Sequence, residues 1–277
     1  MEEGYVKQGY LYDDFRMFHI LDKCEREQKF HYHDFHKIVI FIKGNVSYNI
    51  EGKSYKLKPY DIVLVRRGDI HKPEYVSGES YERIVFFISE EYLDRHRDGE
   101  CDLSNCFQKA KLENSDVLRL PAMVNTALME IVDKLEQNGK EERYAGKIYA
   151  NALFMELMVT LNRGCLEEKN AFSRNALYNQ KMLDVIRYIN EHLKEELSIE
   201  MLSEHFYISK YHMMRQFKEE TGYTIHNYIT EKRLLAARNM MLAGISATKA
   251  CYECGFKDYS TFSRAFKAHM KTKPSEI

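Results

Sequence analysis

Residues 255–267 read Gly255-Phe256-Lys257-Asp258-Tyr259-Ser260-Thr261-Phe262-Ser263-Arg264-Ala265-Phe266-Lys267. Within that stretch Arg264-Ala265-Phe266-Lys267 repeats Arg215-Gln216-Phe217-Lys218 at an offset of 49 positions, 215 to 264. The same offset pairs Ser209 with Asp258, Met213 with Phe262, Gly222 with Lys271 and Ile225 with Pro274. Self-similarity at a fixed period marks one supersecondary unit used twice. Ser and Asp are strong helix N-caps, because a side-chain oxygen there accepts from the open N–H groups of the first turn. Each is predicted to start a helix whose i, i+4 apolar pair, Met213 with Phe217 or Phe262 with Phe266, faces a core. A shorter helix precedes each cap, at about 199–206 and 247–254, where the small residues Ser203 and Cys251 allow close packing. Gly255 supplies a natural stop between the two helices of the second copy. Each copy therefore reads as a helix-turn-helix, and Ile225 to Leu242 as one long helix spacing the two.

With the apolar pairs turned inward, the first unit's outer face presents Lys210, Tyr211, Met214, Arg215 and Lys218. The second presents Tyr259, Ser260, Ser263, Arg264 and Lys267. Arginine donates twice to guanine O6 and N7, serine bonds either way, and Met or Tyr packs on a thymine methyl. Lysines suit phosphates, which set register. Two such helices fit successive major grooves about 34 Å apart. A solvated amphipathic helix would explain one Arg-x-Phe-Lys copy, but it does not explain two at fixed spacing. The net charge of −1 hides a split. Residues 179–277 carry 15 Lys and Arg against 12 Asp and Glu, and the rest of the chain carries the acidic excess. That bias permits phosphate contact without proving it.

The remainder of the 277 residues needs at least one more core. From about Tyr5 to Ser89 the pattern is that of strands. Val39-Ile40-Phe41-Ile42, Ile62-Val63-Leu64-Val65 and Ile84-Val85-Phe86-Phe87-Ile88 are continuous apolar runs, while Val46, Tyr48 and Ile50 alternate with polar residues. Many short strands with turns between them predict a barrel or sandwich. Beyond Pro121, Met123, Ala127, Leu128, Ile131, Val132 and Leu135 recur at helical spacing, as do Ile148, Ala152, Leu153, Met155, Leu157, Val159 and Leu161. The fold class expected is α+β multidomain: a β-barrel at 1–115, a helical segment at 116–164, a polar linker at 165–178 and an all-α domain at 179–277. No apolar leader opens the chain and no run approaches membrane-spanning length, so a cytoplasmic protein with no membrane contact is expected. Six cysteines in a chain this long do not make a disulfide scaffold. Cys251-Tyr252-Glu253-Cys254 lacks a second pair or a histidine at finger spacing, so small buried hydrophobes explain it better than zinc or redox chemistry.

The C-terminal repeat, above all 255–267 with Pro274-Ser275-Glu276, resembles the DNA-binding domain of AraC-type (AraC/XylS) transcription regulators. Ala250-Cys251 and Lys271 depart from that family's pattern, the last at a usual glycine. His31-Tyr32-His33, Lys37, Gly44, Tyr60-Asp61, Gly68 and His71 resemble the signature segments of a cupin barrel, the family's usual sensor. The resemblance implies promoter DNA, a small-molecule effector, a second copy in a homodimer through the helical segment, and RNA polymerase as partners, with an activator's role. Effector contacts are expected from His31, His33, Lys37, Tyr48 and His71. Lys37 stands where metal-binding cupins carry Glu, and an ammonium opposes a divalent cation, so no metal or other cofactor is expected. A cation among histidines suits a sugar or an anionic metabolite. The competing readings are a metal-dependent cupin enzyme with an accessory helical domain, histidines that merely pack, and helices that merely cap the barrel.

Overall fold

The computed structural model describes residues 11, 13–23, 28–140 and 143–277. The early part of the expected strand pattern, Tyr5 to Tyr10, lies outside them, as does Cys24. Among the described residues, nine strands form two sheets: β1 (Phe15–Lys23), β2 (His36–Lys43), β3 (Val46–Ile50), β4 (Lys53–Lys56), β5 (Ile62–Val65), β6 (His71–Tyr75), β7 (Ser80–Ile88), β8 (Val117–Leu118) and β9 (Ala176–Tyr178). One sheet runs β1-β7-β2-β5-β8 and the other β6-β3-β4-β9, all pairs antiparallel.

The continuous apolar runs are explained by a sheet buried on both faces. Ile38, Ile40, Ile62, Leu64, Ile84, Phe86 and Ile88 face one core, while Val39, Phe41, Val63, Val65 and Val85 face another. The second core is closed by Val46, Tyr48, Ile50 and Tyr55 of the opposite sheet. Strand side chains alternate sides, so one run serves two layers. The first core is covered by helices α2 (Asn105–Leu112), α3 (Ala122–Lys140) and α4 (Gly146–Glu167), which contribute Phe107, Leu128, Ile131, Val132, Phe154, Leu157, Met158 and Leu161. A short α1 (Glu90–Arg95) follows β7.

Two expectations about the middle of the chain need correcting. The helical segment opens with a strand: Val117 and Leu118 pair with Val63 and Ile62, and α3 starts at Ala122. The linker is not a free tether. Cys165 is still inside α4, Phe172 bridges Leu118, and Ala176–Tyr178 adds a fourth strand to the second sheet by pairing with β4. Polar, aperiodic sequence hid this because a three-residue edge strand is chosen by its partner, not by its own propensity.

The C-terminal helices are α5 (Gln180–Glu191), α6 (Ile199–His205), α7 (Lys210–Thr221), α8 (Ile225–Leu242), α9 (Ala247–Glu253) and α10 (Tyr259–Met270), closed by a 3-10 turn at Pro274–Glu276. Each helix-turn-helix has its own core. Met213, Phe217, Leu202, Ile225 and Tyr228 share the first; Phe262, Phe266, Ala250, Cys251 and Leu234 share the second. The caps differ between copies. Asp258 accepts from the Thr261 amide, whereas Ser209 makes no side-chain cap bond, contrary to expectation. Ser203 instead turns its hydroxyl to the Ile208 carbonyl at 2.7 Å, fastening the turn.

The C-termini of α7 and α10 both need a left-handed residue, Gly222 at φ 76° and Lys271 at φ 59°. A side chain in that region costs on the order of 1 kcal/mol. Lys271→Gly should therefore raise the stability of the chain by about 1 kcal/mol, read from urea melts. An unchanged or lowered midpoint would show that the lysine stem compensates.

Candidate nucleic-acid interface and buried histidine cluster

Eight of the ten positions expected on the outer faces of α7 and α10 are exposed. Lys210, Tyr211, Met214, Arg215 and Lys218 are exposed on α7, and Ser260, Arg264 and Lys267 on α10. Tyr259 and Ser263 are half-buried, and the Tyr259 ring leans on Phe262 at 5.7 Å, so Tyr259 is partly a core residue. His212 and Thr261 are exposed beside these positions and were not singled out in the sequence. The cations are held loosely: Lys210 meets Glu200 at 2.8 Å, and Arg215 lies 3.8 Å from Glu219. Exposed pairs of this kind are worth little, so exchanging them for phosphate or base contacts costs little.

The barrel brings His31, His33 and His71 together, with ring centroids 4.3 Å (31 to 71), 4.8 Å (33 to 71) and 6.2 Å (31 to 33) apart. Tyr48 lies parallel to His71 at 6.0 Å, and the Lys37 ammonium sits 5.7 Å from the Tyr48 ring centre. All five expected pocket residues thus converge, and Lys37 points inward. Each imidazole has its Nδ1 against a backbone carbonyl: His31 on Lys29 at 3.1 Å, His33 on Phe35 at 2.9 Å, His71 on Asp69 at 2.9 Å. A carbonyl only accepts, so every Nδ1 carries the proton and every Nε2 is a bare lone pair. The Nε2 atoms of His33 and His71 and the Tyr48 hydroxyl are buried with no partner among the described residues.

Burial, then the nearby Lys37 charge, drives all three histidines down: His31 to about 4, His33 and His71 well below 6.5. Burial and the Arg83 charge bring Lys37 down to about 7. The three imidazoles are therefore uncharged at physiological pH. No group of three or more His, Cys, Asp or Glu side chains among the described residues is placed to hold a metal ion. Cys251 and Cys254 are buried thiols, the latter pushed up to about 11 and lying 3.7 Å from the Met240 sulfur. A separate surface cleft of about 470 Å³ runs between Arg119–Pro121 and Glu167–Ala171, away from the histidines. No described helix is long and apolar enough to cross a membrane.

A family model described as an AraC-like ligand binding domain matches residues 18–158, and one described as a helix-turn-helix domain matches 202–277. The chain belongs to the AraC family. Among its relatives is the HTH-type transcriptional activator RhaS of Salmonella schwarzengrund, 30% identical over 254 residues, covering 89% of this chain and 86% of that protein. RhaS of Escherichia coli is 26% identical over 259 residues with the same coverage. ToxT from Vibrio cholerae is 15% identical over 95% of this chain and 97% of its own, at a TM-score of 0.36. The DNA-binding domain of AdpA, solved with a target DNA, is 23% identical over 35% of this chain and 87% of its own, at 0.34. As an AraC family member, this protein is a DNA-binding transcription regulator with a ligand-binding domain.

Residues that sequence reasoning missed join the two halves of this AraC family chain. Glu231 of α8 is 1% exposed; it accepts from the Tyr32 hydroxyl at 2.9 Å and pairs with His269 of α10. The hydrogen bond to Glu231 holds the His269 imidazole above its usual 6.5 against burial and the Lys271 charge. A raised histidine stabilises the fold fully below about pH 6.5, and that contribution fades as pH rises through the folded value. The Tm gap between the wild type and His269→Gln should accordingly be wider at about pH 6 than at about pH 8.5. A constant gap would mean the pair contributes no charge-dependent stability.

Proposed function

We propose that this AraC family member reads two successive major grooves with α7 and α10 and adjusts that reading to a hydroxyl-rich small molecule held in its barrel. The observation that carries the reading is the pair of capped or turn-fastened helices in one chain, each burying an apolar stripe and exposing an arginine with at least one lysine beside it. Arg215, Arg264, Ser260, Tyr211 and Met214 suit base edges, and Lys210, Lys218 and Lys267 suit phosphates. Tyr259 and Ser263 would support the α10 contacts from the rim of the core. Promoter DNA as the target implies work in the cytoplasm and no catalytic step of its own. The activator names of the RhaS relatives favour activation and a contact with RNA polymerase.

The pocket chemistry narrows the effector class. Three neutral rings that offer only Nε2 lone pairs accept from O–H donors, while Lys37 and the Tyr48 hydroxyl donate in return. The unpartnered Nε2 lone pairs favour the O–H donors of a sugar or other polyol, and the Lys37 ammonium is the one group of the five that suits an anionic substituent on it. A second copy is favoured by α4, which leaves Ile148, Ala152, Met155, Val159 and Leu166 wholly or partly exposed at i, i+4, i+7, i+11 and i+18. That spacing is a seam, and a homodimer would cover it.

Arg215→Ala and Arg264→Ala should each weaken binding to an operator selected from random duplexes by about 1–3 kcal/mol and relax base preference in one half only. Equal loss on random DNA would reduce both to phosphate contacts. Lys37→Met and Tyr48→Phe should abolish the polyol response of a promoter reporter while operator affinity in gel shifts stays near the wild-type value. A normal response in both variants would place the effector elsewhere.

A further inference from the structure

The two segments that line the histidine cluster also enter the DNA-binding half. His31 and His71 exchange backbone bonds, at 3.0 and 2.9 Å, so the segments move as one rung. Side chains along an extended chain alternate sides. Next to the pocket residues His31, His33 and His71, the intervening Tyr32 and Ile70 therefore turn away from the pocket. Tyr32 is 1% exposed and belongs to the core of the second helix-turn-helix with Leu234, Phe262 and Phe266. Ile70 is 1% exposed and belongs to the core of the first with Met213, Phe217 and Tyr228. Each reading unit thus receives a buried wedge from the barrel, with Phe30 packed beside Ile70 on the first.

Polar contacts fasten the wedges along one side of α8. The Ile70 amide donates to Glu51 at 2.7 Å, and the other Glu51 oxygen accepts from Tyr228 at 2.5 Å. Lys232 donates to Glu51 at 2.7 Å and to the Gly68 carbonyl at 2.9 Å, and Arg238 meets Asp34 at 3.2 Å. The arginines and lysines on the outer faces of α7 and α10 remain exposed in this docked arrangement, so the barrel does not cover them.

We propose that Tyr32 and Ile70 are positioning residues: the barrel splints α8 and fixes how the two reading helices lie relative to each other. The inference rests on the regulator reading above and adds how the pocket reaches the DNA. A molecule bound through the Nε2 atoms moves the same strands that carry the wedges, so pocket occupancy and operator spacing become linked quantities.

The test uses the full chain and a duplex selected by the wild type from a random pool, with versions carrying three extra base pairs between the two half-motifs. Tyr32→Phe and Ile70→Ala should each weaken binding to the native spacing about tenfold and narrow the native-to-lengthened affinity ratio by a similar factor. Ile70→Val replaces Ile70→Ala if the latter fails to fold. Hydrogen exchange at the His31, Gly68, Ile70 and His71 amides should slow when the wild type binds the native duplex, and this slowing should vanish in Tyr32→Phe. General destabilisation would lower affinity for both duplexes alike and leave the ratio unchanged. A wild-type ratio in both variants, or exchange that stays constant or quickens on DNA binding, overturns the splint. If the wild type selects no duplex over random DNA, it is the regulator reading itself that has failed.

Discussion

Two buried carboxylates, Glu51 on the turn between β3 and β4 and Glu231 on α8, set the terms on which the two halves of this protein meet. A carboxylate taken out of water without donors is costly, and partial satisfaction is worse than none. Glu231 draws one donor from the barrel, Tyr32, and one from the second reading helix, His269. Glu51 draws the Ile70 amide from its own domain, and Tyr228 and Lys232 from α8. Neither group is satisfied by one half alone. Water can take the place of these donors once the halves part, whereas a misaligned contact would leave the charges buried and unmatched. A joint built this way tolerates being fully seated or fully open, and it penalises positions between.

The same logic applies to the uncharged histidine cluster. Glu51 and Glu231 take their donors on the α8 side of the strands, and the imidazoles on the other side are held uncharged by burial and by the nearby Lys37 charge. Fixing every Nδ1–H on a backbone carbonyl leaves no freedom of tautomer, so the ring orientation follows the backbone. Any displacement of these rings is therefore a displacement of the main chain.

Much of this was legible in sequence, and the limits have physical causes. The bounds of α8, Ile225–Leu242, follow from the repeat because both reading helices are locally encoded by caps and apolar spacing. The doubly buried sheet is visible as continuous runs, since each strand face must satisfy its own core. The convergence of His31, His33, Lys37, Tyr48 and His71 came through the family resemblance. The linker strand β9 was invisible because pairing with β4, not composition, makes it a strand. Val117 was misread as helical because two buried residues carry no period. Ser209 had the residue type of a cap without its bond, which only the local backbone decides. The alternation in His31-Tyr32-His33 did hold a usable signal: if the histidines face a pocket, the tyrosine must face something else. What that was, Glu231 and the core of a unit about 200 residues on, no local pattern reports.

The two copies of the repeat have diverged where they meet the barrel, and the divergence has a mechanical sense. The first reading helix ends at Gly222, where an added Cβ would lie 2.5 Å from the Phe30 ring, so a glycine is required both by its φ of +76° and by the barrel's approach. The second ends at Lys271, whose backbone adopts the same left-handed turn without the conformational ease of glycine. Close approach is thus demanded of the first unit, whereas the second is held through the reach of Tyr32 and the Glu231–His269 pair. The barrel touches the first unit through Phe30 and Ile70 and the second through Tyr32, so a displacement of the strands need not act equally on both. An unequal displacement turns one reading helix against the other, which changes the fit to a rigid duplex far more than moving both together.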